Sequence, residues 1–320
     1  MQKLNIFDNN SNKSLVYQIV DINKDKQADK LLFQLNIPTG KSTSVTITQN
    51  ENIKKNDFPS KVYARFIPER KDDFAWENDR IAYRMYGPAL EATGEISNGI
   101  DVWVKSTKSL ILDKWYKSED YHTDHGEGLD CYKVGPSLGA GGSALFESDT
   151  LNKSKNFVKW NIIANGPIRT IFELTYAPRK YKGANVTEIK RISLDAGSNL
   201  NKIEVKYLTT DKVKFKNVIG VVKHKGIDKG KVNFNKEKGI FVYWEPTSKE
   251  NGNTAIGVIV NPDEVDKLLE TEQHYLIVMK ETVKNNFTYY AGAAWSKSGD
   301  FNSYKDWINY LDNSNRKFSK

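Results

Sequence analysis

"NKIEVKYLT" (201–209) decides how the chain is to be read. Ile203, Val205 and Tyr207 alternate with Lys202, Glu204 and Lys206, and a period of two sends the two sets to opposite faces of a β-strand. The same alternation runs through "KSLVYQIV" (13–20), "DKLLFQLNI" (29–37), "STSVTITQ" (42–49), "KVYARFIP" (61–68), "FVKWNIIA" (157–164), "IRTIFELTY" (168–176) and "TEIKRISL" (187–194). It continues in "GIFVYWE" (239–245), "TAIGVIV" (254–260), "HYLIVMKETV" (274–283) and "FTYYAGAAW" (287–295), with Gly, Asn, Asp and Pro turns between the runs.

Helical patterns are few. "NPDEVDKLLE" (261–270) has Pro262, Asp263 and Glu264 where a helix would start. "NSYKDWINYLD" (302–312) spaces Tyr304, Trp307, Ile308 and Leu311 as one helical face, with Ser303 as its N-cap. No long linker or short repeat interrupts the chain. The expected fold is all-β, a large antiparallel β-sandwich forming a single domain over 1–320. One or two helices lie on its periphery, and the ends at 1–12 and 313–320 are loose. The alternative is a pair of fused sandwiches split near 178–185.

The 320 residues carry a net charge of +8, 16 Tyr, 14 Phe, 7 Trp and a single Cys. One cysteine excludes a disulfide framework and any cysteine-rich zinc site. No run approaches the roughly 20 apolar residues of a membrane span. The start "MQKLNIFDNNSNKS" lacks the apolar core of a signal peptide. The expectation is a periplasmic protein whose signal lies outside this sequence, with the cytoplasm as the alternative. Positive charge spread along the chain suits either a solvated surface or an anionic partner. Zinc-finger spacing, an RNP-like motif and a basic helix are all missing, which disfavours nucleic acid. Scattered Arg and Lys beside many aromatics suit a carboxylated or sulfated saccharide.

Two segments concentrate chemistry. "DDFAWENDRIAYRMYGP" (72–88), read as a strand from Asn78, puts Asn78, Arg80, Ala82, Arg84 and Tyr86 on one face, a cationic floor for a carboxylate. The competing reading pairs those arginines with Glu77 and Asp79. "DYHTDHGEGLDCY" (120–132) offers His122, His125 and Glu127 within six residues. Imidazole and carboxylate suit a divalent metal, but the spacing is not that of a zinc-protease helix, and Gly126 and Gly128 argue for a loop. Acid/base chemistry by the two histidines is the leading reading and needs no cofactor. "VVKHKG" (221–226) places His224 where a strand exits into a loop. "VGPSLGAGGSALF" (134–146) lacks the phosphate-loop lysine and reads as a glycine turn. Tyr243, Trp244 and Trp295 stand near strand ends.

These segments, with "GEISNGIDVWVK" (94–105), "VGPSLGAGGSA" (134–144) and "AGAAWSKSGDF" (291–301), resemble a domain-of-unknown-function family of Bacteroidetes polysaccharide-utilisation loci, over roughly residues 60 to 312. "KRISLDAGSNLNKIEVKY" (190–207) is similar to the paired strands of galactose-mutarotase-like supersandwiches. The first resemblance implies a dehydratase of ulvan-type oligosaccharides, removing water from a non-reducing terminal uronate to leave a 4,5-unsaturated sugar. Arg80, backed by Arg84, would neutralise the carboxylate. His122, His125 or His224 would act as base and acid, with Tyr83 or Tyr132 as substitutes for the acid. Trp76, Trp103, Asn78, Glu127, Tyr132, Lys133, Tyr243 and Trp295 would contact the sugar. A bound divalent metal would sit on His122, His125 and Glu127. The rivals are a polysaccharide lyase, a glycoside hydrolase using Glu77 and Glu127, and a non-catalytic carbohydrate-binding module.

Overall fold

The structure, a computed structural model, describes residues 4–38, 40–49, 58–118 and 120–318. Its spine is a long antiparallel sheet. Phe157–Asn165, Arg169–Tyr176, Ala184–Asp195, Leu200–Leu208, Asn286–Trp295, Thr254–Ile259, Ile240–Trp244 and Lys231–Asn235 lie side by side in that order. Leu200–Leu208 is central, with Ile203 opposite Ile192 on one side and Tyr289 on the other. Ile203, Val205 and Tyr207 are buried while Lys202, Glu204 and Lys206 reach solvent, as the period of two requires.

Two five-stranded antiparallel sheets face this spine. The first runs Val62–Ile67, Asp73–Asn78, Ile81–Met85, Asp101–Lys105, Gly128–Asp130. The second runs Thr150–Asn152, Ala140–Glu147, Asn217–Val222, His274–Met279, Val265–Glu270. A parallel bridge from Ile100 to Gly139 joins them edge to edge. At that bridge a Cβ on Gly139 would lie 2.2 Å from the Ile100 carbonyl oxygen, so only glycine fits. One continuous apolar core fills the space between the layers. It includes Phe74, Trp76, Phe172 and Ile203 under the first sheet and Val221, Ile277, Val258 and Tyr289 under the second. Tyr181 and Ala184, inside the segment of the alternative split, belong to that same core. The molecule is a large antiparallel β-sandwich with peripheral helices.

Helix Tyr304–Phe318 packs Trp307 and Leu311, both fully buried, on the outer face of the long sheet against Val242, Ala255 and Ile259. Ser303 caps it: the Asp306 amide donates to Ser303 Oγ, and Asp306 Oδ2 accepts from Ser303 Oγ and the Asn302 amide.

Three expectations are corrected. Residues 262–270 are a 3₁₀ turn, Pro262–Glu264, followed by strand Val265–Glu270, because pairing with His274–Met279 outweighs helix-start chemistry that completes only one turn. The ends are ordered where described: Leu4–Asp8 pairs with Val45–Gln49, and the last helix continues to Phe318. Residues 1–3 and 319–320 lie outside the described residues. Two short helices, Pro88–Glu91 and Leu112–Ser118, lie in segments that the periodicity leaves unassigned.

Candidate functional site

Asp73–Asn78 and Ile81–Met85 form a hairpin rather than one strand beginning at Asn78. The Asn78 side chain accepts hydrogen bonds from the Arg80 and Ile81 amides (2.8 and 3.0 Å) and fixes the turn at Asp79–Arg80. Arg80 and Arg84 therefore make no common floor. Arg80 sits at the turn and pairs with Asp300 at 2.5 Å. Arg84 points to the outer face of the sheet and is only 6% exposed.

Three carboxylates surround Arg84. Its Nε and Nη2 donate to Asp101 Oδ2 (2.9 and 2.5 Å), Nη2 also donates to Asp130 Oδ2 (2.9 Å), and Nη1 lies 3.7 Å from Asp73 Oδ2. The guanidinium is packed over Trp103 and Tyr86, about 5 Å from each ring centre. Three ionised carboxylates buried with one cation would leave uncompensated negative charge. Burial raises all three carboxyls, Asp73 to about 7 and Asp101 and Asp130 also upward, against the pull of Arg84. Arg84 is thus committed to the protein itself.

Helix Leu112–Ser118 and the loop after it roof this face. Glu77, fully buried, accepts from the Ile111 and Leu112 amides at the start of that helix and from Lys105 Nζ (2.8 Å). Glu77 is thus enclosed and committed to these amides and Lys105, and Glu127 pairs with Lys114 (2.6 Å). Tyr121 stacks on Trp103, ring centres 4.8 Å apart. The next residue, His122, donates Nδ1–H to the Asp130 carbonyl oxygen (2.9 Å), with the Asp130 carboxylate 3.6 Å away. That bond fixes the tautomer and leaves Nε2 facing solvent on an imidazole 62% exposed. His125 turns instead to Asp120 (3.1 Å). His122, His125 and Glu127 therefore diverge, and among the described residues no three His, Cys, Asp or Glu side chains are gathered to hold a metal ion.

From Asp130 the chain crosses between the two five-stranded sheets, and the second imidazole meets it there. His224, just past strand Asn217–Val222, donates Nε2–H to the Lys133 carbonyl oxygen (2.7 Å). Its Nδ1 shares a proton with Glu245 Oε1 (2.8 Å), at the end of the long-sheet strand Ile240–Trp244. Tyr132 packs edge-on against the ring at 4.8 Å, and the Tyr243 hydroxyl donates to the His224 carbonyl (3.4 Å). Burial alone would lower the His224 pKa, but the hydrogen bond and charge of Glu245 outweigh it and the net shift is upward. Burial in turn raises Glu245, with the imidazole opposing. Lys133 is exposed, and among the described residues its ammonium has no ion-pair partner. Its charge is felt at His224. The two carbonyls that hold the imidazoles are three residues apart, no more than about 11 Å of chain. Cys131, between them, has its thiol pushed up to about 12 by burial and is unreactive.

The structure thus gathers His224, Tyr132, Lys133 and Tyr243 at a seam where the second five-stranded sheet meets the long one, with His122 held on the same chain segment three residues before Lys133. Other residues singled out from the sequence are elsewhere. Tyr83 is fully buried and donates to the Asn199 carbonyl. Trp76 donates to Asn201 and Trp295 to the Asn251 carbonyl. Trp76, Trp103 and Trp295 are at most 2% exposed and present no face to a sugar. Asn78 donates to the Asp195 and Ser198 carbonyls. The fourth histidine, His274, accepts from the Leu138 amide, and burial lowers its pKa to about 4. Sequence reasoning missed Asp73, Asp101 and Glu245. The signal for the first two was there: Asp73 and Glu77, and Asp101 and Lys105, share a face in strands that are otherwise apolar.

Residues 1–320 match the family model described as "Domain of unknown function (DUF4861)". The chain is 35% identical over 327 residues to "Uncharacterized protein P7" of Formosa agariphila, a match covering 95% of this chain and 80% of that relative. Full-length coverage by the family model and this level of identity make the chain a member of the DUF4861 family.

Proposed function

We propose that the protein is a carbon–oxygen lyase that eliminates water from the non-reducing terminal uronate of an anionic oligosaccharide, acting in the periplasm and without a cofactor. The observation that carries this reading is the Asp130–Lys133 segment, which holds a solvent-facing imidazole at one end and a carboxylate-backed one at the other.

In this reading His122 Nε2 takes the C5 proton. The C5 electron pair closes the C4=C5 double bond, the C4–O bond breaks, and the departing hydroxyl collects Nε2–H of His224 to leave as water. The departing oxygen replaces the Lys133 carbonyl as acceptor of that proton. The Lys133 ammonium neutralises the uronate carboxylate and stabilises the enolate-like transition state. The clamp expected of Arg80 passes to Lys133, since Arg80 is paired with Asp300 at the far end of its strand and Arg84 is enclosed.

The exposed position of His122 makes a clean test. His122→Ala should fold with wild-type melting behaviour and lose at least about a hundredfold in kcat on a uronate-terminated oligosaccharide. His224→Ala should lose at least as much in kcat but also melt lower, because it leaves the buried Glu245 carboxyl unpaired, and Lys133→Ala should raise KM while lowering kcat. Wild-type turnover in both histidine variants would remove the assignment.

A further inference from the structure

Two residues beyond Lys133 the chain forms one wall of a cleft of about 270 Å³. Gly135 and Pro136 are on that side, Tyr86 and Leu90 line it from the hairpin and its following helix, and Gly94–Ser97 close it. At about 30 Å³ per water the cleft replaces roughly nine waters, space for one six-membered ring.

The walls are built rather than incidental. Asn156, 1% exposed, donates to the Gly87 and Glu95 carbonyls (3.0 and 3.1 Å) and accepts from the Ser97 amide (2.8 Å). Glu91 pairs with Lys155 (3.0 Å) and also accepts from the Asn156 amide (3.3 Å). Lys153 Nζ donates to the Pro136 carbonyl on the opposite wall. A single buried amide therefore ties the start of the short helix to the 95–97 segment, so the shape exists before any ligand arrives.

The lining specifies what fits. Leu90, Ile96, Pro136 and the Tyr86 ring give apolar surface, and among the described residues the only lining carboxylate is that of Glu95. The Tyr86 hydroxyl, 3.4 Å from Asp101 Oδ2, stays neutral. The lining carries the Glu95 carboxylate and no described lysine or arginine, and the Lys153 ammonium behind it is engaged by the Pro136 carbonyl, so the lining itself offers an anion no cation. The neighbouring Lys133 offers one. The seam thus offers a cationic position followed at once by a neutral, partly apolar one. From this layout we infer that the cleft is a second saccharide subsite, taking the uncharged sugar linked to the terminal uronate, with its C–H face on Ile96, Leu90 and Tyr86. This rests on the proposed function for the identity of the first sugar and adds the class of the second.

The test compares two probes, a free uronic acid and a disaccharide of that uronate linked to a neutral hexose, by titration calorimetry on the full chain. Ile96, 42% exposed on the rim, can be enlarged without disturbing the core, and Ile96→Trp fills the cleft. Wild type should bind the disaccharide at least about tenfold more tightly than the free uronate. Ile96→Trp should abolish that advantage and leave affinity for the free uronate unchanged. Asn156→Ala, checked for an unchanged circular dichroism spectrum, should reduce the advantage without filling the space. Equal affinities in wild type, or a full advantage retained by Ile96→Trp, would overturn the subsite. Turnover is read separately. Disaccharide selectivity without elimination leaves the subsite standing and sinks the reaction, whereas elimination without selectivity does the reverse.

Discussion

Asp73 shows what burial does to one side chain. Its pKa is about 7 in the folded protein against 3.8 for an ordinary aspartate, with desolvation the main cause. A raised carboxyl pKa means the native state keeps a proton that the unfolded chain loses between pH 3.8 and 7. Stability from this group therefore falls across that window, and the full cost is present above pH 7. A carboxamide in its place would be neutral at every pH. Asp73→Asn should raise unfolding stability at pH 8 by on the order of 2 kcal/mol and change it little near pH 4. Urea midpoints at the two pH values check this, and a stability loss at pH 8 would mean the ionised carboxylate is needed. At this scale the sequence is partly legible. His122 and His224 stand out because histidine is rare here and glycine marks the loops that carry it, whereas Lys133 is one lysine among many. The roles expected of Arg80 and the tryptophans do not survive folding, because residue type says nothing of what lies opposite. Arg84 meets three aspartates from three other strands, and Trp103 meets Trp115, Tyr116 and Tyr121.

Elements are most legible where one face is wet. Leu200–Leu208, from Asn201 onward, and Ala184–Asp195 alternate strictly because one face is core and the other is more open to solvent. Strands such as Asp73–Asn78 and Asp101–Lys105, buried on both faces, lose that alternation, so the hairpin turn at 79–80 does not show. Val265–Glu270 reads as helix because its capping residues are real and its partner strand lies downstream. The last helix is readable from spacing alone, and its seat can be probed. Gly257 faces it, and a Cβ there would come within 2.6 Å of Leu311 and 2.9 Å of Trp307. Gly257→Ala should cost about 1–3 kcal/mol by overpacking. Thermal unfolding measures it, and an unchanged melting temperature would mean the helix shifts freely on the sheet.

At the scale of the molecule, the seam matters most. His122 comes from the roof of the first five-stranded sheet, His224 from the end of the second, and Glu245 from the spine. The crossing segment from Asp130 to Pro136 threads past all three and onward to the cleft. No local pattern predicts such a convergence, since it depends on how the sheets meet. An elimination at this seam has a distinctive product. The most direct measurement is incubation of the full chain with a defined uronate-terminated oligosaccharide, followed by mass spectrometry and ultraviolet absorbance. The account predicts a product of unchanged chain length, lighter by one water and absorbing as a conjugated uronate. Cleavage into shorter sugars, or recovery of the oligosaccharide intact, would contradict it.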